Sequence, residues 1–185
     1  MKSLGYLLIT VGFLAGAFFA VEQREGVPVA SFLVALAIGA AGVALSRAAK
    51  RKEATAPETL RSNLAAIESS LASVVGKIGR LDAGKAEQDV YELHDIIDRE
   101  FPDDLDAFVQ ARNSLRHSFG LQAFADVMNP FAAGERYLNR VWSASTDGYI
   151  DEAHAYLTRA REQFETALEI FRGLKPAEKG DRYKS

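Results

Sequence analysis

The chain has 185 residues, with 22 Lys and Arg against 25 Asp and Glu, and a formal net charge of -3. Its content of 14 Gly and 5 Pro is ordinary for a globular protein, which excludes collagen-like and low-complexity disordered chains. It contains no cysteine, so disulfides, thiolate metal sites and a cysteine nucleophile are excluded. Apolar and basic residues are concentrated near the N-terminus and carboxylates further along.

Two long apolar stretches occupy the N-terminal part of the chain. Residues 4–21 and 27–46 carry no charge, and at about 1.5 Å per residue each predicts a helix able to cross roughly 30 Å of hydrocarbon. The polar residues 22–26 between them are too few for more than a tight turn. Residues 1–52 are therefore predicted to form a transmembrane helical hairpin.

Charged residues that flank the two spans indicate their orientation. Lys2 precedes the first span, a basic cluster follows the second, and Arg24 is alone in the predicted turn. The positive-inside rule then places both termini and the large domain in the cytoplasm, as for a bacterial inner-membrane protein. A signal peptide cleaved near 15–17 is the alternative for the first span, and it also leaves residues 53–185 cytoplasmic. The residues expected to contact anionic headgroups are Arg47, Lys50, Arg51 and Lys52.

Small residues recur at four-residue spacing in both spans, as Gly12 and Gly16 in the first and Ala35 and Gly39 in the second. Such residues let helix backbones approach closely in a membrane. Two interpretations are open: the two arms pack on each other, or they pack on another transmembrane helix. No Asp, Glu, Lys, Arg or His lies within either span, so the spans lack the charged residues that usually form a proton relay or ion path.

An apolar stripe with alternating spacings of four and three predicts the first cytoplasmic helix, which Thr55 and Pro57 are suited to begin. A coiled coil between chains and one helix of an intramolecular bundle both use such a stripe. Gly76 and Gly79 weaken the coiled coil, because glycine is unfavourable in a helix interior. The stripe consists of Leu60, Leu64, Ile67, Leu71, Val74, Ile78 and Leu81.

The remaining pattern also predicts helices, and no segment alternates as a strand would. Breaks are expected at Phe101-Pro102, at Gly120, at Asn129-Pro130 and near Gly148. Residues 53–174 are therefore predicted to be an all-α domain, followed by a polar flexible tail at 175–185. The predicted helices are 85–99, 102–119, 121–128 as a short helix or a continuation, 130–147 and 150–174.

Residues 82–106 contain ten carboxylates and only two basic residues, which gives a local charge of -8. This run is either a solvated helix face or a docking face for a basic partner, with Glu92 and Asp95 as candidate contacts. Nucleic acid is disfavoured as a partner, because residues 53–185 have a net charge of -7.

Large polar and aromatic residues cluster before and after the turn predicted at 147–148. Trp, Tyr and Arg are the types that dominate binding hot spots, so this cluster is a second candidate partner surface. The alternative is that the tryptophan lies in the core and the arginines pair with Glu135, Asp147 or Asp151. The candidate contacts are Arg136, Arg140, Trp142 and Tyr149.

Gly148 lies in a predicted turn, and Ala153 and Ala160 follow one heptad apart. This pattern resembles a single tetratricopeptide-like helical hairpin over about residues 137–164, with glycine in the turn and small residues where the helices pack. Val141 departs from the family's small residue, and no second copy follows at a period of about 34 residues. The resemblance implies a tight antiparallel helical hairpin and a partner-binding surface.

Histidines carry the remaining candidate chemistry, with His94 four residues before Asp98 and His154 three after Asp151. The repeated Glu-x-x-His pattern of di-metal helical bundles is absent, so no metal or other cofactor is expected. No phosphate loop or nucleophile elbow occurs, so no catalytic residue is assigned.

The sequence favours a non-catalytic scaffold or adaptor that holds a protein partner at the cytoplasmic face of a membrane, and the acidic run suits a basic partner. One alternative is an accessory or assembly subunit of a larger integral membrane complex. A helical-bundle enzyme or metal-binding protein is a further alternative, and a homo-oligomer would accompany a coiled coil at the apolar stripe.

Overall fold

The computed structural model describes residues 2–21 and 29–174, of which 93% are helical and none lies in a strand. The predicted all-α fold is therefore confirmed for these residues. The chain divides into two compact units, Met1–Thr59 and Leu60–Ser185. The turn predicted at 22–26, with Arg24, and the tail predicted at 175–185 lie outside the described residues.

The first unit contains α1, Lys2–Val21, and α2, Val29–Ala54, each long and apolar enough to cross a membrane. The two helices are antiparallel, since Lys2 at the start of α1 forms an ion pair with Glu53 at the end of α2. α2 continues past the predicted end at Ser46. Its added turns carry the exposed basic cluster Arg47, Lys50, Arg51 and Lys52.

Glycines bring the backbones of α1 and α2 into direct contact. A Cβ atom placed on Gly12 would lie 2.6 Å from the backbone nitrogen of Gly39 and 2.8 Å from the carbonyl oxygen of Ala35. One placed on Gly42 would lie 2.8 Å from the carbonyl oxygen of Gly5. Gly16 is half-buried beside this seam. The small residues therefore serve the packing of one arm on the other.

The second unit begins within α3, Pro57–Gly84, whose first turn contains Pro57. The apolar stripe predicted here is buried from Ile67 to Leu81, and Leu64 packs against the same core. The stripe from Leu64 to Leu81 is therefore covered within one chain. The helices that follow are α4, Leu93–Glu100, α5, Pro102–Ala111, α6, Asn113–Asp147, and α7, Ile150–Leu174.

Several predicted helix boundaries are wrong. Residues 85–89 form a turn instead of the first part of a helix, and a short 3-10 turn, Val90–Glu92, leads into α4. The helix predicted over 102–119 is interrupted at Arg112. α6 runs through Pro130 without ending, although Gly120, with φ of 90°, kinks it near its start.

Aromatic rings fill the centre of the second unit. Phe108 stacks on Phe131 with ring centroids 3.8 Å apart, and Phe131 meets Phe164 edge-on at 5.7 Å. Phe164 also lies against Gly134, where a Cβ atom would come within 2.9 Å of its ring. The alternative that Trp142 lies among these core rings is wrong, because 37% of its surface is exposed.

An antiparallel hairpin of α6 and α7 turns at Gly148, whose φ of 76° is left-handed. The N–H of Tyr149 donates to the carbonyl oxygen of Ala144 at 2.8 Å and closes the end of α6. Ala153 and Ala160 are fully buried on α7. The small residues thus lie where the two helices are packed.

Replacing Gly148 tests this turn. We expect Gly148→Ala to lower the free energy of unfolding of the second unit by about 1–2 kcal/mol, because an L side chain is strained in left-handed backbone. Trp142 is the one tryptophan of the chain, so its fluorescence during urea unfolding reports on this unit.

Gly76→Ala is the matched control, because Gly76 is exposed in α3 and a Cβ atom there would meet Arg80 at an ordinary 3.9 Å. It should raise the free energy of unfolding by up to about 1 kcal/mol. Equal effects of the two substitutions would contradict the left-handed turn.

Engineered cysteines test the packing of α1 on α2. A Cβ atom on Gly5 would lie 3.0 Å from Cβ of Ser46, so the double variant Gly5→Cys/Ser46→Cys can form a disulfide after a small shift. We expect the arms to stay linked on non-reducing gels after trypsin cleaves at Arg24. Leu7→Cys/Ser46→Cys is the control, because Leu7 is exposed, and equal cross-linking of both pairs would exclude this seam.

Candidate functional site

A buried serine attaches the start of α4 to α6. Ser145 Oγ donates to the carbonyl oxygen of Val90 at 2.5 Å and accepts from the N–H of His94 at 2.9 Å. Ser145 is fully buried, so both bonds are shielded from water. This connection holds the acidic helix α4 beside the last turns of α6.

Trp142 lies on the surface next to α4. Its Nε1–H donates to Asp98 Oδ2 at 3.0 Å, and its ring meets that of His94 edge-on, with centroids 5.9 Å apart. These two contacts favour one orientation of the exposed indole. Tryptophan is among the residue types that anchor protein interfaces.

Exposed residues around Trp142 form what we call the acidic–aromatic surface. Tyr91 packs its ring over Gly148, next to the exposed Tyr149, at the α6–α7 turn. Asp95 lies 3.4 Å from His94 Nε2. Four of the six predicted contact residues therefore lie in this neighbourhood. The acidic–aromatic surface comprises Tyr91, Glu92, Asp95, Asp98, Trp142 and Tyr149.

The acidic run does not form one uniform solvated face. Asp104 accepts from Lys77 Nζ and from Ser73 Oγ, each at 2.6 Å, and so attaches α5 to α3. Asp82 is buried, with 8% of its surface exposed. These two carboxylates are structural, whereas most of the others are exposed, and Asp98 among them contacts Trp142.

Asp82 is the centre of a polar network between the end of α3 and α7. Lys85 Nζ and Thr158 Oγ1 each lie 2.7 Å from Oδ1, and Arg161 Nη1 lies 3.1 Å from Oδ2. Burial raises the pKa of Asp82, but the hydrogen bonds from Lys85 and Thr158 and the positive charges of Lys85 and Arg161 together lower it below its usual 3.8. Asp82 is therefore a charged structural link.

The predicted contacts Arg136 and Arg140 lie elsewhere, on the side of α6 away from Trp142. At about 100° per residue, Arg140 and Trp142 are separated by roughly 200° around the helix. The two arginines line a cleft of about 330 Å³ between α6 and α7. The arginine–tyrosine cleft is formed by Ala133, Arg136, Tyr137, Arg140, Tyr156 and Arg159.

Stacked rings and guanidinium groups build this cleft. Tyr137 and Tyr156 stack with centroids 6.1 Å apart. The guanidinium carbon of Arg140 lies 5.3 Å from the ring centre of Tyr156, and that of Arg159 lies 5.9 Å from the ring centre of Tyr137. Arg140 Nη1 also donates to the Tyr156 hydroxyl at 3.3 Å. These cation–π contacts restrain two of the three positive groups.

The alternative that arginines of this region pair with neighbouring carboxylates is wrong within the described part of the chain. There, none of Arg136, Arg140 and Arg159 has a carboxylate oxygen within 4.0 Å. Burial raises the pKa of Glu135, and the charge that opposes this shift belongs to Arg112. Among residues 2–21 and 29–174, no carboxylate therefore compensates the positive charge of the cleft by a direct ion pair.

Tyr137, Tyr156 and Arg159 were not predicted as site residues. The sequence feature that could have identified them is their distance from Gly148. Arg140 and Tyr156 are each eight residues from Gly148, and Tyr137 and Arg159 are each eleven. In an antiparallel hairpin that turns at Gly148, residues at equal distances from the turn lie at the same level along the two helices, and those on the facing sides meet. Counting outward from the turn would have paired them.

Histidines do not assemble a metal site. Among residues 2–21 and 29–174, no group of three or more His, Asp or Glu side chains could hold a metal ion. His94 approaches Ser145 and Asp95, whereas His117 is exposed. His154 is half-buried, and its carbonyl oxygen accepts from Thr158 in the Asp82 network.

Comparison with protein-family models, with curated proteins and with solved structures found no match for this chain.

The Asp82 network has a pH-dependent contribution to stability. Because the pKa of Asp82 is lower in the folded state, the contribution is present above pH about 3.8 and lost as the pH falls through the folded pKa. We expect Asp82→Asn to lower the free energy of unfolding by about 2 kcal/mol at pH 7. The difference from wild type should shrink as acid protonates Asp82.

Urea unfolding followed by Trp142 fluorescence between pH 3 and pH 7 measures this difference. Asp106→Asn is the control, because Asp106 is exposed on α5 and should change stability little at any pH. A constant difference between wild type and Asp82→Asn across this range would contradict the ionised network.

Proposed function

We propose that this protein is a membrane-anchored helical scaffold or adaptor that holds a protein partner at the cytoplasmic face of a membrane. It acts without catalysis, by raising the local concentration of the partner at the bilayer. The proposal assigns the membrane anchor to the first unit and partner binding to the second.

The composition of α1 and α2 supports the anchor. Most of their apolar side chains are exposed in the isolated chain, including Phe13 and Phe18, and lipid is the solvent that suits them. The basic residues of the last turns of α2 suit anionic headgroups and favour a cytoplasmic position for the second unit. A bacterial inner membrane is the location we propose.

Trp142 is the observation that supports partner binding most directly. The indole is exposed and contacts Asp98 and His94, and the exposed carboxylates Glu92 and Asp95 belong to the same short segment as these two residues. An anchoring aromatic residue within a negative surface fits a partner that presents basic residues around an apolar pocket. The acidic–aromatic surface is therefore the proposed docking face.

The tetratricopeptide-like resemblance of the α6–α7 hairpin remains part of the proposal. A single hairpin lacks the neighbouring repeats that form the peptide groove of that family. We therefore assign its role to supporting Trp142 and Tyr149 on a rigid edge.

A second candidate function is an accessory subunit of a larger membrane complex. It is favoured by an apolar groove of about 560 Å³ along α1 and α2, in which Gly16 and Gly39 lie between Phe13 and Phe32. Another transmembrane helix would fit such a groove by close packing. In that case the partner would bind the hairpin and not the second unit.

Affinity purification in mild detergent tests the two candidates against each other. For the scaffold, we expect the same partner to be recovered by the full chain and by residues 53–185, identified by mass spectrometry. Trp142→Ala should weaken recovery by at least about tenfold, since hot-spot aromatics contribute 2 kcal/mol or more, about 1.4 kcal/mol being tenfold. Added salt should also weaken it.

A charge-matched pair separates the acidic–aromatic surface from general charge. Glu92→Gln/Asp95→Asn should reduce recovery, whereas Glu152→Gln/Glu162→Gln, on the exposed side of α7, should not. A partner recovered by the full chain and absent with residues 53–185 would support the membrane subunit instead. Equal losses from both pairs would contradict docking at this surface.

A further inference from the structure

The arginine–tyrosine cleft has no role in the proposed docking of a basic partner. Its three arginines would repel such a partner, and the cleft faces away from Trp142 around α6. The domain that carries it is acidic, with a net charge of -7 for residues 53–185. A local group of three positive charges therefore opposes the charge of its own domain.

The three arginines of the cleft differ from other arginines of the second unit because they line the same cavity. Arg61, Arg80 and Arg116 are also exposed, but none of them lines this cleft. Arg136, Arg140 and Arg159 share one concavity. Stacking on the tyrosines restrains Arg140 and Arg159, so less conformational entropy is lost when a ligand binds them.

Hydrogen-bond directions also favour an anion. Each guanidinium group has donors in a planar fork and no acceptor. The Tyr156 hydroxyl accepts from Arg140, which leaves its own O–H to donate outward. Every polar side chain of the cleft can thus donate a hydrogen bond to a ligand.

We propose that the arginine–tyrosine cleft binds a phosphate monoester. The group carries about -1.5 to -2 charges at pH 7 and three acceptor oxygens, which matches three arginine forks better than a carboxylate with one charge and two oxygens. The cleft of about 330 Å³ is at the small end of ligand sites, typically about 300–1,000 Å³. A phosphate with a small organic group fits that space, with its apolar part on Ala133 and the tyrosine rings.

Isothermal titration of the full chain in phosphatidylcholine nanodiscs tests the proposal, with phenyl phosphate as the soluble probe and phenylacetate as the carboxylate control. We expect saturable binding of phenyl phosphate that is at least about tenfold tighter than that of phenylacetate. Binding should strengthen between pH 5 and pH 7, because the second ionisation of phosphate has a pKa of about 6. Added salt should weaken it.

Charge-matched variants identify the site. Arg136→Gln, Arg140→Gln and Arg159→Gln should each weaken binding by about tenfold, and the triple variant should abolish it. The triple variant Arg61→Gln/Arg80→Gln/Arg116→Gln, with the same loss of charge, should bind as wild type. Unfolding followed by Trp142 fluorescence verifies that each variant is folded. Equal losses in the two triple variants would overturn the assignment to the cleft.

The phosphate monoester can be free in solution or part of a lipid headgroup, and vesicles distinguish these sources. Stronger displacement of phenyl phosphate from the full chain in phosphatidylcholine nanodiscs by phosphatidic acid vesicles than by phosphatidylglycerol vesicles of equal charge would support the proposal with a lipid source. Binding of phenyl phosphate without this preference would support a soluble source. Absence of binding in both experiments would overturn the proposal, and it would leave partner docking at Trp142 untouched because the two surfaces are separate.

Discussion

The left-handed turn at Gly148 determines how α6 and α7 align, and much of the second unit depends on that alignment. It brings Phe164 against Gly134, where the glycine admits the ring, and lets Ala153 and Ala160 pack without a gap. The same register brings Arg140 to Tyr156 and Arg159 to Tyr137. One residue with φ of 76° therefore determines both the aromatic core and the composition of the cleft.

Polar contacts attach the other helices to this hairpin. Asp82 connects the end of α3 to α7, Asp104 connects α5 to α3, and Ser145 connects α4 to α6. Each carboxylate or hydroxyl is satisfied by several partners, which is what makes a polar group tolerable near a core. Apolar packing supplies most of the stability. The short helices have only small apolar faces, so these polar contacts select one arrangement of them.

Helix-forming patterns in the sequence predicted the all-α fold and the position of α3, because the stripe ending at Leu81 depends on spacing alone. The helix break predicted at Asn129-Pro130 was wrong, because α6 continues through both residues. Burial of Phe131 in a continuous apolar face offsets the loss of one helical hydrogen bond at Pro130. The candidate residues Trp142 and Arg140 were predicted together from proximity in sequence. They lie on different sides of α6, a separation that follows from helix geometry. Tyr156 and Arg159 could be found only after the register of the hairpin was known.

The position of α6 between the acidic–aromatic surface and the arginine–tyrosine cleft has an electrical consequence. Negative charge on one side of a helix about 10 Å wide and positive charge on the other give the domain a transverse dipole moment. A domain of this kind experiences a torque near any charged surface, and it turns its arginines toward a negative one. Its rotational freedom there depends on ionic strength, because the Debye length falls from about 10 Å at 0.1 M salt to about 3 Å at 1 M. Orientation could thus be adjusted by salt without any change in the fold.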